Sequence, residues 1–251
     1  MKNIFKITSL LLISLIFIME IKAQDATAII QQADDKRMGE TSQSTIRLTI
    51  TRPNWTREMT LKTWTKNKAY LLILITEPAR DKGTVFLKRN NEIWNWVPRI
   101  ERNIKLPPSA MMQAWMGSDF SNDDLVKMSS LVEDYNHTLL GEEKINGIPT
   151  YKIELIPKEE SAVVWGKIIT WIHKTEMLFL KTEYYDEDND LINTMLGTDI
   201  KTMGDRTVTA HIELIPAENP GNKTTLVYED LRFNEKIDDL FFSLQNMKRL
   251  K

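Results

Sequence analysis

The sequence predicts a mainly β protein organised around one large, strongly curved antiparallel sheet with a few helices. Apolar and polar residues alternate with a period of two through much of the chain beyond residue 45. Turn signals separate those runs, as at Asn146-Gly147, Asp186–Asp190, Met203-Gly204-Asp205 and Asn219–Asn222. No strand–helix–strand rhythm is present, which argues against a doubly wound fold.

Residues 1–23 read as a signal peptide. Lys2 and Lys6 supply a positive start, and Ile7–Met19 is an apolar run interrupted only by Thr8, Ser9 and Ser14. That run falls short of the roughly 20 residues needed to span a bilayer. Ala23 suits the residue before a cleavage point, so the mature chain is expected to start at Gln24 and to form a single domain over 24–251. No cysteine follows, so lipidation at this point is not expected. Loss of Lys2, Lys6, Lys22 and Glu20 leaves 30 basic and 34 acidic side chains, a charge of −4.

Asp25 is placed to cap a helix in which Ala26, Ile29, Ile30 and Ala33 recur at helical spacing. From Thr45, Ile46, Leu48 and Ile50 alternate with Arg47, Thr49 and Thr51, and Pro53-Asn54 offers a turn before Met59 and Leu61. Residues 69–78, AYLLILITEP, are apolar on both faces and predict a strand covered on each side. Later strands are marked by Tyr151, Ile153 and Leu155 and by Val208, Ala210, Ile212 and Leu214. The spacing gives about twelve strands in all. Between the two groups, Met111, Met112, Trp115 and Met116 fall on one face of a short helix over 110–116, and Ser121 can cap another beginning at Asn122. This central helical insertion is either core packing or a lid over the sheet.

Composition excludes several function classes. The chain has 33 basic and 35 acidic residues, unlike a general nucleic-acid binder. Zero cysteines remove thiol nucleophiles, disulfides and zinc ribbons. His137, His173 and His211 are scattered, without an HExxH pattern, and no nucleophile elbow, phosphate loop or dinucleotide fingerprint is found. Asp186, Asp188 and Asp190 open like a calcium loop, but Leu191 and Gly197 occupy the positions that need Gly and Glu, so a solvated hairpin tip is expected. Neither enzyme activity nor a cofactor or metal is predicted.

Two features invite a binding function. Trp94, Trp96, Met111, Met112, Trp115 and Met116 form a dense group of large, soft side chains, suited either to a core or to an apolar ligand pocket. The second feature is the basic strip Arg99, Arg102 and Lys105. Strict alternation puts Arg102 on the face of Ile100 and Ile104, where a buried guanidinium needs a partner. It would bond to a lid or meet an anionic head group, unless a bulge after Pro98 turns it outward.

The segment 94–125, WNWVPRIERNIKLPPSAMMQAWMGSDFSNDDL, resembles the central signature of LolA-like outer-membrane lipoprotein-sorting proteins. Its elements are Trp94, Trp96, Pro98-Arg99, Pro107-Pro108-Ser109, Gly117-Ser118-Asp119-Phe120-Ser121 and Asp124-Leu125. Tyr184-Tyr185-Asp186, Thr224-Thr225-Leu226 and Asp239–Ser243 agree with it. The resemblance implies a LolA/LolB-like incomplete β-barrel whose concave apolar face is covered by helices. It implies a periplasmic carrier, a non-enzymatic chaperone in outer membrane biogenesis, that takes up acyl chains of lipids or lipoproteins and moves them between membranes. Such a carrier would touch membranes transiently and work with an inner-membrane transporter and an outer-membrane acceptor, without nucleic acid. A lipid-sensing regulatory module using the same cavity is the alternative. Family carriers bond an early-strand Arg to the lid; Lys66 and Lys68 stand nearest that position here, so the role is not transferred.

Overall fold

The computed structural model describes residues 21–90, 92–127, 131–161 and 163–250. The first 20 residues of the expected signal peptide lie outside this set. Helix α1, Ile21–Met38, runs through Ala23 and Gln24, so Asp25 sits inside the helix and not at its N-cap. Ile21, Lys22, Ala23 and Gln24 include no helix breaker, and the helical backbone continues across them. Ala26, Ile29, Ile30 and Ala33 are buried together along one face, as their spacing predicts. Gly39, at φ +64°, ends the helix and donates its N–H to the Asp35 carbonyl at 3.0 Å. Among the described residues no helix is long and apolar enough to cross a membrane.

Among the described residues thirteen strands form one antiparallel sheet. The first six are β1 (Thr41–Arg52), β2 (Trp55–Lys66), β3 (Tyr70–Glu77), β4 (Val85–Arg89), β5 (Glu92–Val97) and β6 (Arg102–Lys105). The rest are β7 (Tyr135–Ile145), β8 (Ile148–Pro157), β9 (Lys167–His173), β10 (Phe179–Tyr185), β11 (Leu191–Met203), β12 (Arg206–Pro216) and β13 (Lys223–Phe233). The order is β6-β5-β4-β3-β2-β1-β13-β12-β11-β10-β9-β8-β7. Strands follow one another by hairpins on each side, and β13 returns beside β1 to join the two runs. The sheet is curved and does not close, leaving β6 and β7 as its edges. This is the curved sheet that the alternation predicts and the incomplete barrel that the family resemblance implies.

The concave face carries most of the core. Ile46, Leu48 and Ile50 of β1 pack with Met59 and Leu61 of β2, Ile73 and Ile75 of β3, and Phe86 and Ile93. A second cluster joins α1 to Tyr135, Ile153, Leu155, Ile168 and Ile172 of β7–β9. The two-sided apolar pattern of β3 has a direct cause. Ile73 and Ile75 face the concave core, whereas Leu72 and Leu74 are covered on the convex side by Ile237, Phe242 and Met247 of the C-terminal tail. That tail includes a 3-10 turn at Asp239–Phe241 and helix α3, Leu244–Met247, whose cap Ser243 accepts the Asn246 N–H at 3.2 Å.

The central insertion differs from expectation. Residues 106–121 form a strap with 3-10 turns at Pro108–Ala110 and Trp115–Gly117, not a helix over 110–116. Pro107-Pro108 and Gly117 leave too few residues for a stable helical stretch. Its backbone bonds instead join Trp115 N–H to the Phe120 carbonyl at 2.7 Å and Asp123 N–H to the Met111 carbonyl at 2.8 Å. A true helix, α2 (Asn122–Lys127), does begin after Ser121. There the Ser121 hydroxyl accepts the Asp124 N–H at 3.1 Å while the Asp124 carboxylate accepts the Ser121 N–H at 2.7 Å, a reciprocal cap. Asp186–Asp190 forms the expected hairpin tip between β10 and β11, with Asp186 N–H bonded to the Asp190 carbonyl at 3.1 Å.

Candidate functional site

The concave face encloses a cavity of about 290 Å³, near the lower end of the roughly 300–1,000 Å³ of small-molecule sites. Its walls come from both halves of the sheet, with Ile46, Leu48, Leu61 and Ile73 opposite Ile168, Tyr184, Met195 and Leu214. Ala33 of α1, Trp115 and Phe120 of the strap, and Trp165 contribute to its cover. Several hydroxyls in the wall are engaged with one another. Ser44 and Thr63 bond to each other at 2.6 Å, and Thr182 bonds to Thr170 at 3.0 Å. Burial raises the phenol of Tyr184 well above its ordinary range, so this group stays neutral in the wall. The greater part of the lining is apolar and suits a hydrocarbon chain.

Trp115 joins the strap to the core. Only 3% of it is exposed, and its ring meets Phe86 edge-on at 5.4 Å between centroids. Two arginines at the β1–β2 hairpin hold the strap from below. Arg52 forms a two-pronged pair with Asp119, with both nitrogen–oxygen distances 3.1 Å, and also donates to the Gly117 carbonyl at 3.0 Å. Arg57 donates to the Met116 carbonyl at 3.1 Å and to Asp81 at 2.7 Å. Asp119 is further held by the Thr224 hydroxyl at 2.7 Å. Early-strand arginines thus do bond to the cover, but from Arg52 and Arg57. Lys66 instead pairs with Asp239 and Lys68 with Asp34.

The predicted apolar group is divided by the sheet. Trp115 lines the cavity, while Met111 and Met116 pack on the same core cluster without forming its wall. Met112 is 61% exposed. Trp94 and Trp96 lie on the convex side with the C-terminal tail, because Ile93 takes the concave position on β5. Lys105 and Lys248 sit over their rings at 5.7 and 5.6 Å. Arg99, Arg102 and Lys105 are all exposed and do not line the cavity. Arg102 keeps the parity expected of it, opposite Val97, but β6 is an edge strand and its flank is open: Ile100 and Ile104 are exposed beside it. Lys105 pairs with Glu92.

Each histidine has a structural setting. His137 Nδ1 meets the Thr27 hydroxyl at 3.0 Å and its Nε2 meets the Leu131 carbonyl at 2.8 Å, tying α1 to β7. His173 Nδ1 accepts the N–H groups of Thr175 and Glu176, each at 3.2 Å. His211 Nδ1 meets the Thr198 hydroxyl at 3.0 Å. The sequence reading missed the charged residues of the cavity: Lys36, Arg37, Lys68, Lys88 and Lys181 line it, with Asp123 and Asp124. Only Lys88 left a trace, since VFLKR puts it on the same side of a strand as Phe86.

A family model described as an uncharacterized-protein-like family matches residues 67–249, and the chain belongs to that family. No curated protein matches the chain. Among solved structures, a DUF1329 family protein from Desulfovibrio piger is 22% identical with a TM-score of 0.82, over 90% of this chain and 99% of its own. A domain named for outer membrane lipoprotein sorting, from Vibrio parahaemolyticus, is also 22% identical, with a TM-score of 0.79 over 90% and 100% of the two chains. A LolA superfamily protein from Nitrosomonas europaea matches at 22% identity and a TM-score of 0.74, over 88% and 98%. The fold is therefore that of the LolA superfamily, as the resemblance of 94–125 implies.

Proposed function

We propose that the protein is an exported, non-enzymatic carrier that takes up acyl chains of lipids or lipoproteins and hands them on between membranes. The observation that carries this reading is the cavity itself: apolar walls from both halves of an open sheet, closed by a strap whose buried Trp115 forms part of the wall. The names of two structural neighbours, for lipoprotein sorting and for the LolA superfamily, agree with it.

The energetics suit transfer better than storage. Burying a chain of about sixteen carbons gains roughly 12 kcal/mol over water, at about 0.8 kcal/mol per methylene. The donor is a bilayer, however, where the chain is already out of water, so the net difference is small and handover is reversible. In this reading residues 1–23 direct export to the periplasm and are removed after Ala23. The mature domain, 24–251, receives cargo with an inner-membrane transporter and releases it to an outer-membrane acceptor.

Transfer of a fluorescent acyl lipid between donor and acceptor vesicles tests the proposal. Saturable uptake by the mature protein and faster transfer in its presence are expected. Absence of both overturns it.

A further inference from the structure

We infer that the cavity contains an anion site at Lys88, so that its occupant is an amphiphile with a carboxylate or phosphate head and its tail along the apolar walls. This rests on the acyl-cavity reading above and specifies the ligand class. Lys88 is on β4, where alternation points it to the concave side with Phe86, and its strand partners Leu71 and Ile93 are apolar. It is 7% exposed and lines the cavity.

An ammonium carries three donors. Among the described residues, Lys88 has one hydrogen-bond acceptor, the Lys68 carbonyl at 2.8 Å, and no carboxylate at ion-pair distance. A buried ammonium without a counter-charge is costly, and a methionine of similar length would fill the same space without that cost. A ligand anion at Lys88 supplies the missing charge.

The neighbouring cations differ from Lys88 in having acidic partners. Lys68 reaches Asp34 at 3.1 Å, and Arg37 reaches the other oxygen of the same carboxylate at 2.6 Å. Lys36 is matched by Glu176 at 3.1 Å. Lys68, Arg37 and Lys36 are thus each matched by an acid, whereas Lys88, among the described residues, is not. Asp123 and Asp124 also line the cavity, from the start of α2, where Asp124 is engaged by Ser121.

The test is displacement of the neutral fluorescent probe N-phenyl-1-naphthylamine from the mature protein and from Lys88→Met. Hexadecanoate, hexadecyl phosphate and hexadecanol have the same tail and differ in the head. The parent is expected to prefer either acid over the alcohol by about tenfold or more, as hydrogen bonds to charged groups give. Lys88→Met should bind the alcohol at least as well as the parent and lose the preference. Equal preference in both proteins overturns the anion site while leaving the acyl cavity standing. Displacement by acetate or inorganic phosphate alone overturns the amphiphile and points to a free-anion site. Failure of the probe and every long-chain ligand to bind overturns the cavity reading itself.

Discussion

Arg52 at the end of β1 and Asp119 in the strap meet through two nitrogen–oxygen contacts of 3.1 Å, fastening the cover to the sheet that it closes. Both side chains are largely buried, so removing one strands the other's charge. We expect Arg52→Ala to cost about 3 kcal/mol and to loosen the strap. Limited proteolysis should then cut within 106–121 faster than in the parent, and acyl ligands should exchange faster. Unchanged cleavage and exchange would mean that Arg57 and Thr224 suffice to hold it.

Trp115 belongs to both the core and the cavity wall, so its loss should affect stability and binding together. Trp115→Ala is expected to destabilise by about 3–5 kcal/mol in denaturant titration. Trp115→Phe retains a ring against Phe86 and should lose much less of both. A stable Trp115→Ala protein with full acyl affinity would show that the strap only rests on the sheet.

Burial lowers the Lys88 ammonium from 10.5 to about 8. Between those values the unfolded chain keeps a proton that the folded chain has released, so this group makes stability rise as pH increases from 8 towards 10.5. The charged groups around the cavity are Lys68 from the β2–β3 turn, Asp34, Lys36 and Arg37 from α1, Lys181 from β10, and Asp123 and Asp124 from α2. The difference between the parent and Lys88→Met isolates its share from theirs. Lys88→Met should be more stable at pH 7 by about 1–3 kcal/mol, an advantage that shrinks as pH rises. A destabilised variant, or a constant difference across this window, would contradict the buried-charge account.

His137 should act in the opposite part of the pH scale. Burial lowers its pKa below 6.5, so as pH falls below that value the unfolded chain takes up a proton that the folded chain resists. Stability should therefore drop on acidification, and protonation would disturb the bonds that tie α1 to β7. Replacing His137 with Gln should flatten this acid limb. A parent and variant with parallel pH profiles below 6.5 would rule the histidine out as its source.

Alternation in the sequence was enough to reveal the curved sheet, and the two-sided run of β3 correctly indicated cover on both faces. The same property hid the site. On β5 both faces are buried, so the size of Trp94 and Trp96 could not tell the cavity side from the side under the C-terminal tail. SAMMQAW has helical spacing, but spacing does not show that its backbone will bond instead to Phe120 and α2. Arg52 reaches Asp119 only because β13 and the strap come together, a contact across 67 positions that no local pattern announces. Lys88 could be read as inward-facing, but the basic groups that gather around it come from α1 and a separate hairpin.

Native mass spectrometry with lipid extraction, on mature protein purified from its own envelope fraction, is the most direct examination of what the concave face holds. A chain beginning at Gln24 with one bound acyl lipid, fatty acid or acylated peptide is predicted. Protein that emerges empty, and then fails to take up a fluorescent fatty acid, would contradict acyl-chain carriage.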